Sequence, residues 1–431
     1  MKRTKVIVGI VAAVSALILA GCSGNSGGSG GENVQLTFLN AHPKTFDTAI
    51  AAYEKAHPNV TIKQQSVPFN NLNSQIQSRL GSQDTSVDVI AVDSPRLSYM
   101  VSRNFLADVS SDKKAISKAV SPQDLSTVTI DGKIWSYPQN TSDGELFYNK
   151  AALAAAGAPE PKPGEVLTWE QVLSIGAKAQ QAGAAKYGLT IYQVDRYYQL
   201  QPILMSMGAS SGLKGAGNLT PEVNSPKWKA FGDWYSQLYK SGLSPRGIPS
   251  EQITPIFANG QSAFYLASSG QVAEIHKGSV KDGFGVTAFP YFESGKKATP
   301  ADAWTMGVSK FSKHQDAARD FAKFITINKT GAALGSTEPG SNSFAPSAVA
   351  AVPAWQKVLS ENSSPGLADQ LVTIFKAGQK YAVHRPQSVG YVQFETVMND
   401  AFSDIRNGSD PDQVLDKAQS RLQRQLERLK H

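Results

Sequence analysis

The hydrophobic pattern alternates between two periods along most of the chain. Val34-Gln-Leu-Thr-Phe-Leu39 is alternating and rich in β-branched and aromatic residues, which predicts a strand that breaks at Asn40-Ala-His-Pro43. Phe46, Ile50 and Tyr53 then mark one helical face, with Thr45 as the expected cap and Pro58 as the stop. Val60–Val67 predicts a second strand, and Leu72, Ile76 and Leu80 a helix over Asn71–Leu80. Val87–Val92 is almost wholly apolar, as in a strand buried on both faces of a parallel sheet, and a helix near Pro95–Ser102 follows. Strands alternating with helices in this way build an open α/β sheet.

The next stretch is of another kind. Asp131-Gly132 is a tight-turn pair between Val128–Ile130 and Lys133–Trp135, so a small hairpin is expected. Tyr137-Pro138 forces extended backbone. Leu146-Phe147-Tyr148 reads as a buried strand, and Asn149-Lys150 leads into an alanine-rich helix over Ala151–Gly157. The chain therefore runs extended between two α/β regions, as a crossover between lobes. Beyond it, Thr168-Trp-Glu-Gln171 is a capping box opening a helix to Gln181, with Trp169 as a packing residue. Lys186–Tyr192 is a strand. Ser225-Pro226 starts a helix ended by Gly242, whose stripe of Trp228, Phe231, Tyr235 and Leu238 belongs to the core. His314–Ile327 is amphipathic. Two helices close the chain, one on Tyr391, Phe394, Val397 and Ile405, the other capped by Asp410-Pro411 and faced by Leu415, Ala418, Leu422 and Leu426. Both are expected to pack on the second lobe.

Composition narrows the classes. At 431 residues the chain exceeds one ordinary core. With 41% hydrophobic and 18% charged residues it reads as a soluble globular protein. The formal charge is 42 − 35 = +7. Removing Lys2, Arg3 and Lys5 with a leader leaves +4, too little and too scattered to imply nucleic acid. One cysteine excludes an intrachain disulfide, and six histidines without H-E-x-x-H or H-x-H spacing give zinc little to bind. No cofactor or metal is expected, and the chain is expected to be monomeric.

The first residues carry an address. Met1–Lys5 is basic, Val6–Ala20 is apolar, and Leu19-Ala20-Gly21-Cys22 is a lipobox. Residues 1–21 are expected to be a signal peptide, and Cys22 a lipidated (palmitoylated) cysteine that holds the chain on the extracytoplasmic face of the bacterial cell membrane. Residues 22–32, rich in Gly and Ser, form the flexible tether. Their two G-x-S-x-G matches sit on no strand-to-helix turn, so a nucleophile elbow is excluded on context.

Ligands of open α/β sheets bind beyond the carboxyl ends of the strands. That rule selects Asn40 and His42, Phe69-Asn70, and Asp93, whose rival role is to cap the next helix. It also selects Gln193-Val-Asp-Arg-Tyr-Tyr-Gln199, where carboxylate, amide, guanidinium and aromatic groups suit sugar hydroxyls and ring faces.

The crossover, with its G-K-x-x-x-x-P turn, a strand ending in Tyr148-Asn149-Lys150, a short helix, a Pro-rich loop and Thr168-Trp169, resembles the extracellular solute-binding proteins of carbohydrate ABC importers, the maltodextrin-binding-like group. Phe257–Gly270 resembles their F-x-x-G-x-x-A-M segment, expected to return the chain to the first lobe. Gly283–Pro290 and Ala303–Ser309 resemble their strand-to-proline and G-W-x-x-x-V-S return strands.

The resemblance implies a two-lobed, hinged α/β fold of the periplasmic-binding-protein kind with extra C-terminal helices. The expected division is 33–139 plus 265–303 for one lobe, and 140–264 plus 304–431 for the other. The function implied is capture of an oligosaccharide and its delivery to permease subunits, without enzymatic activity. Implied ligand contacts are Asn140 and Asp143 on the crossover, Asp195 and Tyr197 after the strand, and Trp304 as aromatic platform. Ser268 and Ser269 stand where relatives carry an aromatic, and Asp302 where they carry glycine. Phe344 and Arg385 lie on loops that reach the cleft in relatives, with Phe344 equally placed for a core. A secreted glycosidase built on an Asp/Glu pair, the same fold with a non-sugar solute, and a purely structural surface lipoprotein remain as alternatives.

Overall fold

The computed structural model describes residues 33–41, 44–302, 304–336 and 344–430. Residues 1–32, with Cys22, and His42 therefore lie outside the described residues.

Eight strands of five or more residues are described: β1 Val34–Asn40, β2 Val60–Ser66, β3 Val89–Asp93, β4 Glu145–Asn149, β5 Tyr187–Ile191, β6 Ser262–Ala267, β7 Phe284–Ala288 and β8 Trp304–Val308. Ten described helices have ten residues or more. They are α1 Asp47–Ala56, α2 Phe69–Gly81, α3 Trp169–Gln181, α4 Tyr197–Ser206, α5 Pro226–Lys240, α6 Gln315–Thr326, α7 Val352–Glu361, α8 Leu367–Gly378, α9 Tyr391–Arg406 and α10 Pro411–Glu427. None of the described helices is long and apolar enough to cross a membrane.

The strands form two sheets. The first runs β2-β1-β3-β8 and ends on Tyr137–Pro138; β1 is parallel to β2 and β3, and β8 is antiparallel to β3. The second runs β7-β4-β6-β5, with β4 antiparallel to both neighbours and β6 parallel to β5. Each sheet has its own core. Leu36, Phe38, Ile90, Met306 and Phe321 belong to the first. The second sheet is covered on one side by α3, α5, α9 and α10 through Trp169, Trp228, Phe402 and Leu422, and on the other by α7 and α8 through Trp355 and Leu371. The lobes are thus separately folded bodies.

The expected division needs correction. β6 and β7 pair within the second sheet, so Phe257–Gly270 does not return the chain to the first lobe. β8 and α6 belong to the first, so residues 304–335 leave the second. Antiparallel pairing puts β6 and β7 on either side of β4, and no linear reading of hydrophobicity reports that. The return crossing lies at residues 299–302, antiparallel to the outward crossing at 139–144, and Ser142 N–H donates to the Asp302 carbonyl at 2.7 Å. Ala345–Pro346 pairs with Asn140–Thr141 to add a third crossing.

Local expectations hold where the turn chemistry is decisive. Asp131 and Gly132 have φ of 51° and 76°, the left-handed pair a two-residue hairpin needs, and the capping box at Thr168 and Gln171 is formed. Thr45 does not cap α1; Phe46 stands at that position and its ring packs into the core 5.2 Å from Phe38. Phe69 and Asn70 form the first turn of α2 instead of a strand-end loop.

α3 lies on β5 through a glycine pair. A Cβ at Gly176 would stand 2.9 Å from the backbone of Gly188, which cannot move aside. Gly176→Ala is expected to destabilise the second lobe by about 1–3 kcal/mol through overpacking. Gly335→Ala, whose Cβ would meet Phe46 at an ordinary 3.7 Å, should not. Urea unfolding of both variants checks the contrast.

Candidate functional site

The carboxyl ends of β3, β5 and β6 and the start of β8 converge where the lobes meet. They enclose a cavity of about 80 Å³. The first lobe contributes Asp93 and Trp304, and the second Tyr192, Gln193, Arg196, Tyr198 and Ser268. Asn140, Ser142 and Asp302 come from the crossings, and Arg385, Phe344 and Glu395 complete the wall. The crossings hold their side chains: the Asn140 Oδ1 accepts from Trp304 N–H at 3.0 Å, and the Ser142 hydroxyl donates to the Asp302 carbonyl.

Arg385 is the hub. Its guanidinium makes a fork with Asp93, Nη2 to Oδ1 at 2.6 Å and Nη1 to Oδ2 at 3.1 Å, and its Nε donates to Asp302 Oδ2 at 2.6 Å. The Asp302 oxygen also accepts the Arg385 backbone N–H at 2.9 Å. Nη1 donates to the Tyr391 hydroxyl at 3.1 Å, which in turn donates to Glu395. The guanidinium plane lies over the Tyr198 ring at 5.1 Å. Glu395 reaches back to the first lobe through Arg96 at 2.6 Å. Arg385 is only 5% exposed, so this is a buried network in which each charge depends on its partner.

The electrostatics follow. Burial pushes the Asp302 carboxyl up, but the Arg385 charge and the His384 contact outweigh it and hold it below the usual range. Glu395 is depressed likewise: burial opposes, and Arg96 and Arg385 prevail. His384 is raised: burial opposes, but the bond to Asp302 together with the charges of Asp302 and Asp124 outweighs it. Three acids (Asp93, Asp302, Glu395) face Arg196 and Arg385 in the wall and Arg96 behind it, so this cluster of six is neutral in sum, 3 − 3 = 0, with His384 beside Asp302.

Of the residues expected at the site, Asp93, Asn140, Ser268, Asp302, Trp304, Phe344 and Arg385 meet at this cavity. Others do not. Asn40 is buried at the end of β1, accepting from the Ser66 hydroxyl at 3.1 Å. Asp195 turns away at a φ of 67° and pairs with Arg406 at 2.6 Å and the Tyr235 hydroxyl at 2.9 Å. Tyr197 is fully buried against Phe394, its hydroxyl donating to the Ser211 carbonyl. Asp143 and Ser269 lie behind the crossover, on the far side of Ser142.

Within Gln193–Gln199 the segment is placed as expected, while the residues within it differ. α4 begins at Tyr197, and the phase of its first turn sends Tyr197 inward and Tyr198 to the cleft. Sequence reasoning also missed Ser142, Tyr192 and Glu395. Tyr192 is the last residue of the predicted strand that runs into the polar segment, whereas Glu395 sits on an ordinary amphipathic helix and has no signal of its own.

The model of the bacterial extracellular solute-binding protein family matches residues 39–332. The sn-glycerol-3-phosphate-binding periplasmic protein UgpB of Brucella abortus is 29% identical over 168 residues, 38% of this chain and 37% of that protein, so the match spans little more than a third of the relative's length. An ABC substrate-binding protein of Listeria monocytogenes, solved with cycloalternan, superposes with a TM-score of 0.77 at 20% identity, over 92% of this chain and all of that one. A solute-binding protein of Agrobacterium radiobacter, solved with ribitol, superposes with a TM-score of 0.74 at 18% identity, over 91% of this chain and 99% of that one. The fold is therefore the two-lobed periplasmic-binding-protein type.

Arg385→Met leaves Asp93 and Asp302 buried without their cation and is expected to cost about 3–5 kcal/mol at pH 7. Asp302 and Glu395 have depressed pKa values in the folded state. Their contribution is present above the ordinary carboxylate range and is lost as pH falls through the depressed values. The gap between wild type and variant should therefore narrow below about pH 4, as read from urea unfolding at stepped pH.

Proposed function

The chain belongs to the bacterial extracellular solute-binding protein family, and from that premise we propose that it captures a neutral polyhydroxylated solute, a sugar or polyol, between its lobes and delivers it to an ABC importer. One observation carries the reading: strand ends from both lobes converge on a single cavity where aromatic faces, Trp304 and Tyr198, stand among amide, hydroxyl and charge-paired groups. Aromatic faces cover the apolar side of a sugar ring, while carboxylates and guanidinium groups take its hydroxyls.

Charge balance favours a neutral ligand over the phosphate ester named for UgpB. Phosphate recognition uses arginine forks, yet Arg385 is engaged by Asp93 and Asp302, and Arg96 by Glu395. Taking a phosphate would break those pairs and strand buried carboxylates.

The cavity size supports hinge motion. About 80 Å³ is less than the roughly 150 Å³ that holds benzene, so a sugar ring enters only when the lobes part. Contacts from both lobes then favour the form closed around the solute. Bound solute replaces the direct contact of Arg385 with Asp93 by hydroxyls set between them.

The reading extends to anchoring. The basic start, the apolar run and Leu19-Ala20-Gly21-Cys22 support lipid attachment at Cys22 outside the cytoplasmic membrane. Cys22→Ala is expected to shift the protein from the membrane to the soluble fraction. A variant that still sediments with membranes counts against the anchor.

For the cleft, a thermal-shift panel of maltose, ribitol, mannitol and larger glycans is expected to yield at least one ligand that raises Tm by several degrees, with sn-glycerol 3-phosphate giving none. Trp304→Ala should then weaken that ligand tenfold or more, a loss of about 1.4 kcal/mol, at an unchanged Tm without ligand. A ligand found only among phosphate esters would reverse the assignment.

A further inference from the structure

Behind the crossover, across Ser142 from the cleft, lies a larger cavity of about 340 Å³. It belongs to the second lobe, between the end of β7, the loop of residues 161–166 and α8, with Pro300 of the return crossing on its hinge side. Its walls are largely apolar, with Val286, Phe289, Ile374 and Phe375 among them. Its volume falls in the small-molecule range.

Two acids border this chamber. Asp143 and Glu145 flank Gly144, and their side chains lie against each other. They are 4% and 0% exposed. Ser269 lies beside both and the two carboxyls adjoin, yet none of the four carboxyl oxygens meets a donor in full hydrogen-bond geometry. Burying such groups without a partner costs several kcal/mol each. Burial pushes Asp143 up to about 6, and burial together with the Asp143 charge holds Glu145 well above the ordinary range. The pair therefore holds its protons to a higher pH than ordinary carboxyls do. The cleft network makes no use of either group.

We infer that this chamber is a second ligand site, built for a protonated amine carried on a compact apolar body. The bordering carboxyls reward a donor and repel an anion. An ammonium brings three donors and a charge, enough for both carboxyls, whereas a hydroxyl brings one donor and leaves acceptors unmet. The apolar walls take the body of the ligand. Lys297, its ammonium over the rings of Tyr291 and Tyr381 at 5.7 and 5.6 Å, borders the chamber. Glu165, Asp369, Lys162 and Lys380 are the other charged groups around it. Entry of an ammonium favours ionisation of both acids, so the proton they hold leaves to solvent.

The test uses benzylamine as probe and benzyl alcohol as its neutral counterpart, with the full chain. Benzylamine is expected to raise Tm and to bind at pH 7 with proton release, read as a difference in calorimetric heat between phosphate and Tris buffers. Benzyl alcohol should do neither. The double variant Asp143→Asn, Glu145→Gln should lose the benzylamine response, as should Ile374→Trp, which fills the chamber and leaves the acids in place. The shift caused by the cleft's neutral ligand should survive in both, which separates failure here from failure of the cleft reading. The inference is overturned if benzylamine has no effect, if benzyl alcohol matches it, or if the response persists in both variants.

Discussion

A buried arginine must be matched, and Arg385 is matched by acids from two directions. Asp93 ends a strand of the first lobe, Asp302 lies on the return crossing, and Arg385 itself is held by the second. The fork geometry allows one guanidinium to take both carboxylates while its face rests on Tyr198. Because desolvation makes each unpaired charge expensive, the lobes cannot part without either hydrating the cluster or supplying other partners. That constraint ties the packing of the two lobes to the chemistry of whatever enters between them.

The neutrality of the cluster has a functional consequence. A cleft with a spare cation selects anions, and one with a spare carboxylate selects cations. Here every charge in the wall has an opposite within reach, so on the proposed reading discrimination falls to hydroxyl geometry and ring faces. The second chamber is the reverse case: its acids form no ion pair, although they stand one and three residues beyond Ser142 in the chain. Two adjacent sites of opposite electrostatic character thus share a single stretch of crossover.

Much of this was legible in the chain. The turn at Asp131-Gly132, the extended Tyr137-Pro138 and the strand into Tyr148-Asn149-Lys150 located the crossover, because each depends on local backbone rules. The strand-end rule reached Asp93, and the motif around Trp304 reached an aromatic in the cavity wall. What stayed hidden depends on three-dimensional pairing. β6 and β7 flank β4, each antiparallel to it, which moved the return crossing to residues 299–302. One residue of helical phase exchanged Tyr197 for Tyr198. One residue along the crossover put Ser142, and not Asp143, in the cleft. Glu395 finds its role only because α9 is brought against Arg96 of the other lobe.

The central claim is that two lobes move on a three-segment hinge and settle around a neutral solute. Spin labels at Lys118 on the first lobe and Lys178 on the second, in a chain without its native cysteine, report that movement by double electron–electron resonance. Neutral saccharide or polyol is expected to draw a broad interlobe distance distribution into one narrow population. A distribution that no neutral solute alters, or that only an anionic one narrows, would contradict the account.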